Sequence, residues 1–206
     1  MAKSKNEPPV PINRFIGSWR GTRIEIVGDH VANIPAMLSI AGMFAREADG
    51  MSITGGLAHL DDALGGAVRR MRSDGIFEGR LGETMVLSTP PLPVRADAIL
   101  MIGLGDPADW TPEVMRSIVA VAARRAMQLA VSSVAFAPSL HDSGLRGRIA
   151  MGAEPAMLAG LCGEIEVAGG KPPEQWVFCA HPAHFEVTAR DFALAFNDLS
   201  APCCRP

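Results

Sequence analysis

The chain has 206 residues, 48% of them apolar and 20% charged, with a formal charge of −3. That composition excludes a disordered, fibrous or membrane-embedded protein and fits one globular domain, which at this length buries roughly 70% of its unfolded surface and needs no metal or disulfide staple. Residues 1–11 have no apolar secretory core, no run of eighteen apolar residues occurs, and basic side chains gather only at Arg69, Arg70 and Arg72 and at Arg124 and Arg125; membrane insertion and secretion are therefore set aside, a nucleic-acid partner is not expected, and the expected location is the cytoplasm.

The reading places a polar leader over residues 1–20, one domain over 21–200 and a tail over 201–206. Cys162, Cys179, Cys203 and Cys204 follow no metal or disulfide spacing, so reduced thiols are expected.

Residues 23–28 (RIEIVG) alternate charged and apolar side chains, as a half-exposed strand near a sheet edge does. Pro35 then suits the first turn of a helix in which Met37, Leu38, Ala41, Phe44, Ala45 and Ala48 recur at helical spacing until Gly50. A short strand is expected over 51–54. Asp61 or Asp62 next caps a helix with an apolar stripe of Leu64, Val68 and Met71, ending at Gly75.

Residues 84–88 (TMVLS) read as a strand and the proline-rich 89–93 as a loop. The unbroken apolar run 98–103 (AILMIG) reads as a strand covered on both faces at the sheet centre. Thr111-Pro112-Glu113 supplies a cap, a proline at the first helical position and an acid at the positive end of the dipole, for a helix to about residue 130 with Val114, Ile118, Val121, Ala122 and Leu129 inward.

A strand over 131–136, a polar loop over 141–148, a helix opened by Pro155, a strand over 175–180 and a short final helix capped by Thr188 and Asp191 complete the chain. The helix at Pro155 carries Met157, Leu158, Leu161, Cys162 and Ile165 on one face and stops at Gly169-Gly170. Alternating strands and helices predict an α/β fold, a three-layer α/β/α sandwich on a mixed, largely parallel sheet.

Two places invite a ligand. Gly65-Gly66 in the opening turns of a predicted helix each cost about 1 kcal/mol relative to alanine. Either a phosphate sits against the helix start, contacted by Gly65, Gly66 and Ala67, or the helix packs tightly on the sheet. The loop after the strand 131–136 leaves a strand at its carboxyl end, where open α/β sheets bind ligands. There Ser139, Asp142, Ser143 and Gly144 either hold phosphate oxygens or form a solvated turn.

Gly103-Leu104-Gly105 lacks a third glycine opening a helix and reads as a turn. Pro182 between His181 and His184 argues against a metal pair, and His141-Asp142-Ser143 cannot converge as a triad does. No catalytic residue, metal or cofactor is assigned.

The segments Leu60-Asp61-Asp62-Ala63-Leu64-Gly65-Gly66-Ala67 and Phe77-Glu78-Gly79-Arg80-Leu81-Gly82-Glu83-Thr84 are similar to paired segments of the N-terminal domain of leucyl aminopeptidases. The resemblance continues through Ile102-Gly103-Leu104-Gly105, Thr111-Pro112-Glu113 and Val134-Ala135-Phe136, over residues 60–180. It implies a macro-domain-like fold, which in the full-length enzymes helps assemble a hexamer.

The family's peptidase chemistry belongs to a C-terminal domain bearing Asn-Thr-Asp-Ala-Glu-Gly-Arg, absent here, so a stand-alone module without peptidase activity is expected. Macro domains also bind ADP-ribose between a glycine-rich loop and a second phosphate loop. By that resemblance Gly65-Gly66-Ala67 and the Ser139 to Gly144 loop imply a crevice for a phosphorylated nucleotide such as ADP-ribose. The Asn-Ala-Ala-Asn segment of macro-domain hydrolases is missing, and Asn33 alone does not replace it. The other reading is an assembly or regulatory module that forms a homo-oligomer or docks on a full-length aminopeptidase.

Overall fold

A computed structural model describes residues 12–47, 53–138 and 152–201. Strands β1 (Asn13–Trp19), β2 (Thr22–Val27), β3 (Ala36–Phe44), β4 (Thr84–Ser88), β5 (Ala96–Gly105), β6 (Ser133–Ala137) and β7 (Gln175–Cys179) form one seven-stranded sheet in the order β1-β2-β7-β6-β3-β5-β4. The five inner strands are parallel, and β1 and β4 close the two edges antiparallel.

Helices α1 (Gly55–Ala63) and α2 (Ala67–Ser73) cover one face; α3 (Pro112–Gln128), α4 (Ala153–Val167) and α5 (Phe185–Ser200) cover the other. Alternation along each strand divides the core between the two layers. Ile24, Ile26, Leu38, Ile40, Leu100, Ile102, Val134, Phe136, Trp176 and Phe178 pack under α3, α4 and α5. Ala41, Met43, Ile99, Met101, Ala135 and Val177 pack under α1 and α2. This is the expected three-layer α/β/α sandwich. No helix among the described residues is long and apolar enough to cross a membrane.

Several local expectations are corrected. The helix expected after Pro35 is strand β3, buried from Leu38 to Phe44. A strand covered on both faces needs apolar residues everywhere, so a helical period can be found in it by accident. Residues 23–28 do lie near the sheet edge, as β2, but the strand is mostly buried rather than half-exposed, because β1, inside the expected leader, pairs outside it. β5 lies second from the other edge rather than at the centre; it is buried because β4 covers its flank and helices cover its faces. Of the strand expected over 51–54, positions 51 and 52 lie outside the described residues, and Ile53 and Thr54 lead directly into α1.

The helix expected from Asp61 is two helices. Asp61 is inside α1, fully buried, and its carboxylate accepts from Arg69 N at 3.0 Å and pairs with the Arg69 guanidinium. It thus satisfies a free N–H in the first turn of α2, one helix later than anticipated. Gly65 and Gly66 form the reversal between the helices, with φ of +61° and +80°. Open space surrounds Gly65 where a Cβ would stand, so left-handed backbone, not tight packing, accounts for that glycine.

Leu129, expected inward, is 45% exposed just past the end of α3, and Met115, Val119, Ala123 and Ala126 carry more of its buried face. The final helix is not short. α5 starts at Phe185, and Thr188 lies inside it, its hydroxyl donating to His184 O rather than capping.

Gly103 and Gly105 belong to β5, whose end is padded by the loop from Phe77 to Glu83. Gly103 N donates to Glu83 O, Gly82 N to Gly103 O and Gly105 N to Gly79 O, while the Glu83 carboxylate accepts from Glu78 N and Arg80 N. A Cβ on Gly103 would stand 1.9 Å from Arg80 O, so the glycine is required by close backbone approach.

Two glycine-to-alanine changes should move stability in opposite directions. Gly65→Ala puts a side chain on left-handed backbone and is expected to cost about 1 kcal/mol, a fall in Tm of about 2–4 °C. Gly163→Ala, inside α4 with open space around the new Cβ, should raise Tm by a similar amount. Thermal unfolding followed by far-UV circular dichroism measures both, and equal shifts of one sign would contradict the assignment.

Candidate functional site

The parallel strands all end on one side of the sheet, and there β2, β7 and β6 leave a crevice of about 730 Å³ counting its open mouth. Its walls come from short segments just past those strand ends: Asp29, His30 and Val31 after β2, Cys179 to His181 at the end of β7, and Ala137 and Pro138 at the end of β6. Gly56 at the start of α1 and Ala153, Glu154 and Met157 at the start of α4 close two sides, with Thr188 and Phe192 of α5 below. The lining is mostly apolar with a few polar groups, as in small-molecule sites.

Each polar group has a distinct setting. Asp29 Oδ1 accepts from His30 N at 2.7 Å and from Asn33 Nδ2 at 2.8 Å, which fixes the carboxylate at the rim. Burial raises the Glu154 carboxyl above its ordinary value; its own backbone N–H works against the rise and the charge of Asp191 adds to it. Burial pushes the Cys179 thiol strongly upward, and neighbouring Asp29 adds to the shift. Cys179 is therefore a protonated, apolar wall at neutral pH and not a nucleophile.

Among the described residues that line the crevice there is no Lys or Arg. Among the described lining residues, what it offers an anion is the starts of α1 and α4, where the helix dipole favours negative charge.

Gly65, Gly66 and Ala67 are not in this lining. They follow the far end of α1, which at nine residues spans about 14 Å from the crevice. Ser139, Asp142, Ser143 and Gly144 lie outside the described residues. The residues missed by sequence reasoning are Asp29, Gly56, Glu154 and His30. A signal existed for two of them. Gly28-Asp29 ends a strand on its carboxyl side, and Thr54-Gly55-Gly56 opens a helix with the same pair of glycines that Leu64-Gly65-Gly66 shows in the sequence. Among the described residues no group of three His, Cys, Asp or Glu side chains is arranged to hold a metal, and the His181 and His184 rings stand 5.6 Å apart.

A layered sheet with a crevice of this position defines a macrodomain-like fold. An Oceanobacillus iheyensis macrodomain solved with ADP superposes with a TM-score of 0.65 at 16% identity, covering 92% of this chain and 97% of that one. A tomato leucine aminopeptidase variant matches with a TM-score of 0.58 at 19% identity, over 81% of this chain and 34% of that one.

The chain belongs to the cytosol aminopeptidase family, whose N-terminal domain matches residues 41–159. A probable cytosol aminopeptidase of Microcystis aeruginosa is 34% identical over 104 residues, 50% of this chain and 21% of the relative. Another from Alkaliphilus oremlandii is 27% identical over 124 residues, 60% of this chain and 24% of the relative. The match thus spans about a quarter or less of these relatives' length.

The raised Glu154 carboxyl gives a pH signature. The folded state holds this proton more tightly than the unfolded chain, so stability falls as pH rises from the unfolded value through the folded one. Glu154→Gln removes that loss. The Tm difference, variant minus parent, should grow between pH 4 and pH 8; a constant or shrinking difference in scanning calorimetry would refute the assignment.

Proposed function

We propose that the chain binds a phosphorylated nucleotide of the ADP-ribose type in this crevice. The observation that carries the reading is that two helix starts, at Gly56 and at Ala153 and Glu154, open onto one apolar cavity at the carboxyl ends of parallel strands. Backbone N–H groups there meet phosphate oxygens, and the apolar walls Val31, Met157, Phe178 and Phe192 enclose the base or sugar. Asp29, anchored through one oxygen, uses the other to accept an N–H or O–H of the ligand. The macrodomain neighbour solved with ADP supports the same choice of ligand.

In this reading the glycine role expected of Gly65-Gly66 passes to Gly55-Gly56. Ser139, Asp142, Ser143 and Gly144 lie outside the described residues and remain part of the proposal on the sequence reading alone. The family's peptidase activity is not proposed for this chain.

Isothermal titration with ADP-ribose and ADP tests the proposal. Saturable binding is expected, and Asp29→Ala should weaken it about tenfold, the loss of one hydrogen bond to a charged group. No heat and no amide shift with either compound at millimolar concentration would overturn it.

A second reading, an assembly module, is favoured by the outer face of α5, where Val187 and Leu194 are 54% and 57% exposed beside a groove shared with the start of α4. It predicts a concentration-dependent oligomer in analytical ultracentrifugation that Leu194→Glu abolishes. A monomer at all concentrations excludes self-association.

A further inference from the structure

The two edges of the sheet are finished differently. β1 carries Arg14, which pairs with Glu186 of α5; its register breaks between Phe15 and Gly17; and its Trp19 meets Phe196 of α5 edge-on, with ring centroids 6.3 Å apart. Charge, a bulge and a covering helix are the devices that keep a sheet edge from pairing with another chain. β4 has none of them. Its five residues TMVLS include no charge and no proline, and its register with β5 is unbroken from Thr84 to Ser88. Among the described residues it is paired on one side only.

The direction of its backbone groups follows from the ladder. Thr89 N donates to Asp97 O at 3.1 Å and Gly103 N to Glu83 O at 2.8 Å. Bonded and non-bonded pairs alternate in an antiparallel ladder, so Met85 and Leu87 exchange bonds with Met101 and Ile99. Thr84, Val86 and Ser88 therefore turn their N–H and C=O groups to the open edge. Side chains alternate in step: Met85 and Leu87 pack with the cluster under α1 and α2, while Thr84 lies on the α3 side and accepts from Arg125 Nη2 at 3.2 Å. Val86 and Ser88 are exposed.

The strand reads nearly alike in both directions, with a hydroxyl at each end and three apolar residues between. A two-fold axis at Val86 would set Thr84 against the partner's Ser88, Val86 against the partner's Val86 and Met85 against the partner's Leu87. Hydroxyl then meets hydroxyl and apolar meets apolar, both favourable cross-strand pairs. In this register the outward groups of Thr84, Val86 and Ser88 all find partners, because each becomes a bonded pair. Leu81 and Leu92, beyond opposite ends of β4, are 60% and 88% exposed. The same axis carries each copy's Leu92 toward the Leu81 end of the other.

We propose that a second copy of this chain pairs with β4, antiparallel about a two-fold axis at Val86, so that two sheets join into one. This edge stands at the opposite end of the sheet from β1 and α5, so the contact is distinct from one through the outer face of α5. It is also independent of nucleotide binding. One short strand pair lies at the small end of specific interfaces, so the dimer is weak, with a dissociation constant on the order of 10–100 μM.

Sedimentation equilibrium and amide hydrogen exchange of the full chain test it. A monomer–dimer equilibrium is expected, and a monomer at every concentration up to about 500 μM overturns the proposal. Exchange at the Thr84, Val86 and Ser88 N–H groups should slow as concentration rises, while the Met85 and Leu87 N–H groups, bonded to β5, stay protected throughout. Exchange at the three outward groups that ignores concentration overturns it as well, and needs no variant. Val86→Lys sets two like charges across the axis at an exposed position and should weaken the dimer at least about tenfold. Leu194→Glu should leave it unchanged. A dimer lost in Leu194→Glu but kept in Val86→Lys would move the interface to α5 and refute the assignment to β4.

Discussion

Burial of a five-stranded parallel sheet on both faces is the constraint on which the rest depends. Parallel neighbours cannot be joined by hairpins, so every connection must cross over the sheet, and the crossovers are what supply the two helical layers. The same rule sends the strands' carboxyl ends to one side, where β2, β7 and β6 stop at Val27, Cys179 and Ala137. A crevice opens there because β6 and β7 lead to α4 and α5 on one face, β2 turns through residues 31–33 to β3, and the end of β3 leads to α1 on the other face. The cavity follows from topology. Its chemistry is set by the few residues at each strand end.

That division explains what could be read in the sequence. The α3 start was legible because Thr111-Pro112-Glu113 is a local device, and Thr111 does accept from Val114 N at 3.2 Å. The face of α4 was legible because Met157, Leu158, Leu161, Cys162 and Ile165 recur at helical spacing and all are buried. β3 was not, because residues 38–44 are buried on both sides and a uniformly apolar run holds no period to measure. β1 was not, because half of it faces solvent and its pairing partner is settled across a turn at Arg20 and Gly21. The crevice failed for a related reason. Asp29, Glu154 and His181 are far apart in the chain, and each looks ordinary until the sheet brings them together.

Among the described residues, three arginines are committed to buried carboxylates away from the crevice: Arg69 to Asp61, Arg72 to Glu47, Arg124 to Glu164. The Asp61, Glu47 and Glu164 carboxylates are buried, and each is partnered by a guanidinium that reaches solvent or the backbone, which keeps their desolvation tolerable. Arg72 also donates to Phe44 O, tying α2 to the end of β3. These pairs fasten helix to helix and helix to sheet.

Family kinship and the crevice occupy different parts of the molecule. The segment around Gly65-Gly66 persists because the chain must reverse between two helices through left-handed backbone, with buried Asp61 bracing the second helix. The segment from Phe77 to Thr84 matters because its backbone lies against Gly103 too closely for any side chain and its Glu83 holds the loop shut. Neither segment touches the ligand cavity. The features that mark the chain as a cytosol aminopeptidase N-terminal domain are thus requirements of folding, and the crevice residues Asp29, Gly56 and His181 can change while leaving them intact. Membership of the family and the chemistry of the crevice are separate physical properties of this fold, and the second is set at the strand ends alone.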